Sequence, residues 1–207
     1  MAESYTQVPP NSTGNKIRTR TKVIGGHTVH EQAVYQAASP TYYALADAVA
    51  FAANKQFISI MNESGSGKML SIKKLFLIDT QLSGVTGVAI RADMKKITAH
   101  SGGSTITCQS ADSTNASLPA QITVRTGATS VSEGAILFPI TFTNDEVGAT
   151  QAFPSTALLA GLNWMPEGVE LQELRLREGE GITLKQITSS TVGQFAFLIV
   201  FTCDDPI

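Results

Sequence analysis

Short runs in which apolar and polar residues alternate dominate the chain from about residue 39 onward. Such period-two alternation predicts β-strands. In the final run both faces are apolar: Phe195, Phe197, Ile199 and Phe201 on one, and Ala196, Leu198 and Val200 on the other. A strand of this kind is expected to be central and buried on both sides. Glycine- and serine-rich turns separate about nine or ten runs, which predicts an all-β fold, an antiparallel β-sandwich or jelly-roll-like body.

Two stretches have a less regular pattern. In residues 39–55, Ser39-Pro40 and the following alanines are compatible with a capped helix. The same stretch places Tyr43, Leu45 and Val49 two or four residues apart, and this alternation favours a strand. Later, the pair Lys73-Lys74 interrupts the alternation of the run from Met69 to Asp79, which indicates a bulge or an edge position.

Composition narrows the class of protein. The chain has 207 residues, of which 43% are hydrophobic and only 15% are charged, with a formal net charge of -2. Its longest apolar run, from Phe195 to Phe201, is far shorter than the roughly 20 residues of a membrane-spanning helix. These values exclude a coiled coil, a collagen and a strongly basic nucleic-acid binder. The first residues lack the apolar core of a signal peptide, so we expect folding in a reducing cytoplasm.

The first 38 residues differ from the rest of the chain. They hold few large apolar residues, and four basic residues fall within them: Lys16, Arg18, Arg20 and Lys22. Residues 1–38 are therefore predicted to form an extended basic N-terminal arm, and residues 39–207 the β-sandwich domain. The arm is either a disordered terminus or a segment that becomes ordered against a partner. In the second case its basic residues are the predicted partner-binding residues.

One motif resembles a phosphate-binding loop. Gly65-Ser66-Gly67-Lys68 contains the glycines and lysine of such a loop. A nucleotide-binding P-loop also needs an earlier glycine, a Ser or Thr after the lysine and a helix that follows. Asn62 and Met69 occupy the two diagnostic positions. A hairpin turn with a solvent-facing lysine is the better interpretation.

Other candidate chemical groups give no recognisable site. His27 and His30 lack a third fixed metal ligand, and His100 precedes a glycine-rich turn. Cys108 and Cys203 are expected to be buried free thiols, because each lies in an apolar or threonine-rich run. Glu178 and Glu180 are expected to be solvated carboxylates in a turn. Trp164 is expected to cap the sandwich or to lie in a contact between subunits. We therefore expect no catalytic residues, no metal and no cofactor.

Two stretches together resemble a known class of protein. The first is the apolar run that ends at Asn62 and continues through Gly65-Ser66-Gly67-Lys68. The second is Glu178-Gly179-Glu180-Gly181, which leads to the strongly apolar last strand. In this order they resemble the β-sandwich structural proteins of tailed-bacteriophage virions. The likeness covers roughly residues 42–203, and it implies no catalytic residues.

The resemblance, the basic arm and the absence of catalytic motifs suggest a non-enzymatic virion protein. A capsid decoration or cement protein is the first expectation, with the major capsid protein as partner and a homotrimer as the assembled unit. Its location would be the virion, after synthesis in the host cytoplasm. A neck, tail or fibre-base component is one alternative. A sandwich that binds host glycans is another, and it would need exposed aromatic residues. No membrane contact is expected, and four basic residues would give nucleic acid only a weak contact.

Overall fold

The computed structural model describes residues 19–32, 39–80, 88–144, 160–163 and 173–205. All regular elements in these ranges are β-strands, and every strand pairing is antiparallel. Within them no helix is long and apolar enough to cross a membrane. The chain divides into two compact units, Met1–Ala38 and Ser39–Ile207. The prediction of an all-β fold is confirmed.

The described part of the first unit is a β-hairpin. Strand β1 (Thr19–Ile24) pairs with β2 (His27–Gln32), and Gly25 and Gly26 form the turn between them. Both glycines have positive φ, 58° and 81°. Two-residue hairpin turns of the primed type need positive φ at both central positions, and glycine meets this need without steric cost. The sequence analysis anticipated an extended arm here and did not identify the hairpin.

The second unit contains twelve strands in its described ranges. They are β3 (Thr41–Ala50), β4 (Gln56–Asn62), β5 (Met69–Asp79), β6 (Val88–Ser101), β7 (Ser104–Thr105), β8 (Gln109–Ser110), β9 (Ile122–Thr126), β10 (Ser130–Asn144), β11 (Ala160–Asn163), β12 (Leu174–Leu176), β13 (Glu180–Gln186) and β14 (Gln194–Asp204).

These strands form two sheets that pack face to face. Sheet 1 has the order β11-β5-β14-β3-β8, with β12 also paired to β5, and sheet 2 has the order β10-β6-β13-β4-β9-β7. Without β7, β8, β9 and β12, the orders become β3-β14-β5-β11 and β4-β13-β6-β10. Nearly every connection between successive strands of this set crosses from one sheet to the other. This interleaving of two four-stranded sheets is the arrangement of a jelly roll.

The core lies between the two sheets and is rich in aromatic contacts. Phe57 of sheet 2 stacks on Phe197 of sheet 1 with a centroid separation of 4.7 Å. Tyr42 stacks on Phe201 at 5.9 Å within sheet 1. Around them, aliphatic side chains such as Ile60 and Leu70 are fully buried. Burial of this apolar surface is the main force that holds the sheets together.

The detailed predictions for individual strands had mixed outcomes. Residues 41–50 form a strand, as the alternation indicated. A register shift leaves Lys73 as the extra residue opposite Val200 and Phe201, so the predicted bulge is present. The prediction for the turn around Gly65 was wrong, because it joins strands of different sheets and no hairpin forms. His100 lies within β6, whereas the sequence suggested a turn residue.

Candidate interaction surface on the outer face of sheet 1

The outer face of sheet 2 is polar. Glu133 accepts hydrogen bonds there from Lys95 at 2.8 Å, from Lys185 at 2.6 Å and from Gln56 at 2.8 Å. Burial opposes ionisation of Glu133, but the hydrogen bonds from these three side chains outweigh it and hold its pKa at about 2. A polar face turned away from the core is the usual arrangement for an antiparallel sheet in a sandwich.

The outer face of sheet 1 is apolar instead. Tyr43 and Leu45 of β3 are 39% and 46% exposed, whereas the alanines that alternate with them, Ala44 and Ala46, are buried in the core. Apart from Lys74, the outward residues at the centre of the next two strands, β14 and β5, are also apolar. Phe76, Ile78, Leu198 and Val200 are partly exposed, whereas Ala196 is only 2% exposed. We define the outer patch as Tyr43, Leu45, Phe76, Ile78, Ala196, Leu198 and Val200.

Strand register arranges the outer patch in rows. Leu198 pairs with Leu45 on one side and with Phe76 on the other. Val200 pairs in the same way with Tyr43 and with Lys74. Neighbouring strands lie about 4.8 Å apart and successive outward residues about 6.7 Å apart, so these side chains form one continuous surface.

Two charged residues border this surface at opposite corners. Lys74 is exposed on β5, and its Nζ lies 5.9 Å from the ring centroid of Phe76. Asp47 is exposed on β3, two residues after Leu45, in a bulge where Asp47 and Ala48 together lie opposite Ala196. A continuous apolar surface with a polar rim is typical of a site of protein–protein contact.

The sequence contained a signal for this surface that the strand pattern alone did not resolve. The apolar residues on both faces of β14 predicted a central strand buried on both sides. The strand is central, between β5 and β3, and Phe197 is fully buried. Leu198 and Val200 on its other face remain half-buried. The apolar composition of β14 therefore belongs to a strand with one face in the core and the other face partly exposed.

The predicted arm residues are only partly described. Lys16 and Arg18 lie outside the described residues. Arg20 and Lys22 lie on β1, where their backbones pair with Glu31 and Val29 of β2. The four were predicted to bind a partner together, and this stays a prediction.

The two motifs that carried the resemblance meet in space. Asn62 is fully buried, and its Nδ2 donates to the carbonyl of Lys68 at 2.8 Å and to that of Leu176 at 3.1 Å. The backbone amide of Gly67 donates to Oε1 of Glu178 at 2.6 Å. Hydrogen bonds from the amides of Gly67 and Gly65 hold the pKa of Glu178 below its usual value. The glycine-rich turn thus binds a carboxylate of its own chain.

The remaining candidate groups are structural or lie outside the described residues. Lys68, expected to face solvent, forms an ion pair with Asp205 at 2.6 Å. Cys108 and Cys203 are free, and burial raises the pKa of both thiols to about 11. Among the described residues no group of His, Cys, Asp and Glu side chains could hold a metal ion. Trp164 lies outside the described residues.

A cavity of about 490 Å³ lies beside the loop that follows β7. Its lining combines apolar side chains such as Ile106 and Leu118 with hydroxyl groups from Thr105, Ser113 and Ser117. No lining residue is charged, and Tyr42 is the one aromatic residue among those that line it. The hydroxyl of Tyr42 donates to the carbonyl of Ala116 at 2.5 Å, so this ring is fixed in place. A volume of this size suits a small uncharged ligand.

Comparison with known proteins gave no match. No family model matches the chain, and neither the curated proteins nor the solved structures contain a significant relative. The functional argument therefore rests on the surfaces described above.

Proposed function

We propose that this chain is a non-enzymatic structural protein of a bacteriophage virion, most simply a capsid decoration or cement protein. The observation that carries the proposal is the outer patch. A sheet with apolar residues on both faces is stabilised when a partner removes its outer face from water. Such a sheet is suited to a protein that works by assembling with copies of itself or with a shell.

The two-unit organisation supports the same proposal. Residues 39–207 form a compact jelly-roll unit with its own core, and residues 1–38 are a separate unit. The basic residues Lys16, Arg18, Arg20 and Lys22 would contact an acidic surface of the major capsid protein. Charges of this kind steer association and fix the register of the bound partner. The trimer expected from sequence stays a prediction.

Quantitative mass spectrometry of purified virions tests the proposal directly. A copy number close to that of the major capsid protein supports a decoration or cement protein. A copy number per virion that corresponds to one ring of subunits would instead support the neck, tail or fibre-base alternative. Absence of the chain from particles would overturn the structural proposal.

A second experiment tests the role of the arm. The 39–207 fragment should fold, because it contains the whole described core, but it should no longer bind particles that lack the protein. A full-length variant with Lys16, Arg18, Arg20 and Lys22 all changed to Ala should bind more weakly, and the loss should be smaller at high salt. The matched control changes Lys55, Lys96, Arg175 and Arg177, all in the second unit and outside the outer patch, to Ala, and it should bind like the wild type. Full particle binding by the 39–207 fragment would refute a role for the arm.

The cavity favours a second candidate function, binding of host glycans. Its uncharged, hydroxyl-rich lining and its volume are suited to one or two sugar units. Against this, Tyr42 is the one aromatic side chain that lines it, whereas sugar sites commonly use an exposed ring. A glycan array probed with the full chain tests this function, and Ser117→Trp, which would obstruct the cavity, should abolish any specific signal.

A further inference from the structure

The outer patch has a symmetry that identifies its partner. Its three strands lie in the order β3, β14, β5, and Leu198 occupies the centre. Lys74 lies at one corner, beside Val200, and Asp47 lies at the diagonally opposite corner, beyond Leu45. The other two corners are Tyr43 and Ile78. A surface with opposite charges at diagonal corners and apolar residues elsewhere can be complementary to itself.

The complementarity can be described with a two-fold axis. This axis lies parallel to the sheet, between the two copies, and runs along the line from Tyr43 to Ile78. Rotation about it brings Lys74 of one copy near Asp47 of the partner subunit, with a lateral offset of about 5 Å at the usual strand spacings, and the reverse contact forms at the same time. Leu198 meets its own counterpart. Leu45 meets Val200 of the partner subunit. Phe76 lies over the position of Ala196 of the partner subunit, a small residue that is only 2% exposed and leaves room for the ring. Every apolar position faces an apolar position.

The operation also obeys the rules of sheet packing. With strands about 4.8 Å apart and outward residues about 6.7 Å apart, this axis crosses the strands of the two sheets at roughly 70°. This angle is close to the orthogonal class of sheet-on-sheet packing. At the usual sheet separation of about 10 Å, a lysine and an aspartate side chain are long enough to meet. An isologous two-fold contact is the commonest way in which soluble proteins associate with themselves.

We propose that the outer patch is a homodimer interface, in which Lys74 of each copy pairs with Asp47 of the other across an apolar centre at Leu198. The inference rests on the proposed function, because it names the partner of the surface that carries that function. It predicts a dimer as the assembled unit in place of the trimer expected from sequence. The proposed function and the homodimer interface can fail separately. The function is tested by copy number in virions, and the interface is tested by the mass of the chain in solution.

Sedimentation equilibrium of the full chain over a range of concentrations tests the interface. The wild-type mass should rise with concentration toward twice 21.9 kDa. Lys74→Glu and Asp47→Lys should each raise the dissociation constant by about tenfold or more, because each places two like-charge contacts in the dimer. Both residues are exposed, so neither change is expected to affect folding. Circular dichroism on the same samples checks this.

Restoring the charge pair gives the decisive result. The double variant Lys74→Glu/Asp47→Lys should recover the wild-type dissociation constant to within about threefold. An equimolar mixture of the two single variants should form heterodimers more readily than either variant forms homodimers, because both ion pairs are then restored. Lys96→Glu, an equal charge change at an exposed position of sheet 2, should have no effect.

Three outcomes would overturn the inference. One is a wild-type chain that stays monomeric at every concentration. Another is a concentration-dependent mass that converges on three chains. The last is failure of both the double variant and the mixture to recover dimerisation, which would show that Lys74 and Asp47 do not meet. A patch that binds only a different protein would give the first outcome.

Discussion

The backbone amide of Gly67 donates to the carboxylate of Glu178 across 2.6 Å, although 111 residues separate the two in sequence. Gly67 belongs to the turn that resembles a phosphate-binding loop, and the resemblance has a physical basis. Successive backbone amides in a glycine-rich turn form a concavity that binds anions. In this chain the anion is the side chain of Glu178. The turn therefore joins the β4–β5 connection to the β12–β13 connection.

Asn62 should contribute strongly to stability, because it is the buried centre of this junction. Asn62→Ala removes the donors to Lys68 and Leu176 and leaves two carbonyl groups without them, at an expected cost of about 2–3 kcal/mol in the free energy of unfolding. Asn62→Asp should cost more at pH 7, because a carboxylate cannot donate and would face both carbonyl oxygens. Urea unfolding at pH 7 measures both changes. Equal stability of Asn62→Asp and the wild type would contradict this role.

The two glycines around Glu180 should differ in their tolerance of a methyl group. At Gly181 an added Cβ would lie 2.5 Å from the carbonyl oxygen of Ile60 and 2.7 Å from Sδ of Met61. Gly181→Ala must therefore displace a central strand, and we expect a loss of about 3 kcal/mol or failure to fold. Gly179 has space, since its nearest neighbour would be 3.9 Å away, but its φ is +78°. Gly179→Ala should cost only about 1 kcal/mol. Thermal denaturation of both variants checks the order, and the reverse order would contradict it.

The sequence predicted features that depend on neighbouring residues better than features that depend on contacts between residues far apart in the chain. Local alternation was sufficient for the longer strands of the second unit, including β3, and for the bulge at Lys73, but not for the β1–β2 hairpin. The contact of Gly67 with Glu178 could not be predicted in this way, because it depends on which strands become neighbours. The burial of His100 could not be predicted either, because it depends on contacts of its ring with Ser59 and Thr123 on other strands. For the outer patch, the apolar character of β14 was visible, but only the strand order shows that Tyr43 and Leu45 extend it.

Glu133 should stabilise the outer face of sheet 2 by bringing two lysines together. Glu133→Gln leaves Lys95 and Lys185 close to each other without an anion, and we expect a loss of about 1–2 kcal/mol. A double-mutant cycle with Lys185→Gln should give a coupling energy of about 1 kcal/mol. A coupling energy near zero would show that solvent screens the pair completely. The pKa of about 2 predicts that this contribution is present above pH 4.5 and is lost as the pH falls from 4.5 toward 2.

A second group of hydrogen-bonded polar side chains on sheet 2 has His100 at its centre. Nδ1 of His100 lies 2.7 Å from the hydroxyl of Ser59, and Nε2 lies 2.7 Å from the hydroxyl of Thr123. The hydroxyl of Thr123 donates to Glu63 at 3.0 Å, so Thr123 accepts from Nε2 and the hydroxyl of Ser59 donates to Nδ1. In the neutral imidazole, which the lowered pKa of His100 favours, the proton therefore lies on Nε2 and Nδ1 accepts from Ser59. Ser59 is fully buried and His100 is 8% exposed, so both groups lie beneath the surface of the sheet.

This neutral histidine should make stability depend on pH in a defined window. Burial and the nearby charge of Arg125 lower the pKa of His100 from 6.5 to about 4, although Glu63 acts in the opposite direction. In the unfolded chain the imidazole takes up a proton near pH 6.5, whereas in the folded chain it does so only near pH 4. Protons therefore favour the unfolded state between these values, so the contribution of His100 is complete above pH 6.5 and decreases as the pH falls to 4.

The expected loss across that window is about 2–3 kcal/mol. Urea unfolding at pH 7.5 and at pH 4.5 measures it, with His100→Gln as the matched variant that cannot titrate. The free energy of unfolding should fall between the two pH values by a clearly larger amount in the wild type than in His100→Gln. The titration of Glu133 does not affect this comparison. Its contribution to the free energy of unfolding is lost mainly below pH 4.5, and it is the same in both proteins. Equal losses in the two proteins would mean that the imidazole of His100 already exchanges protons freely in the folded state.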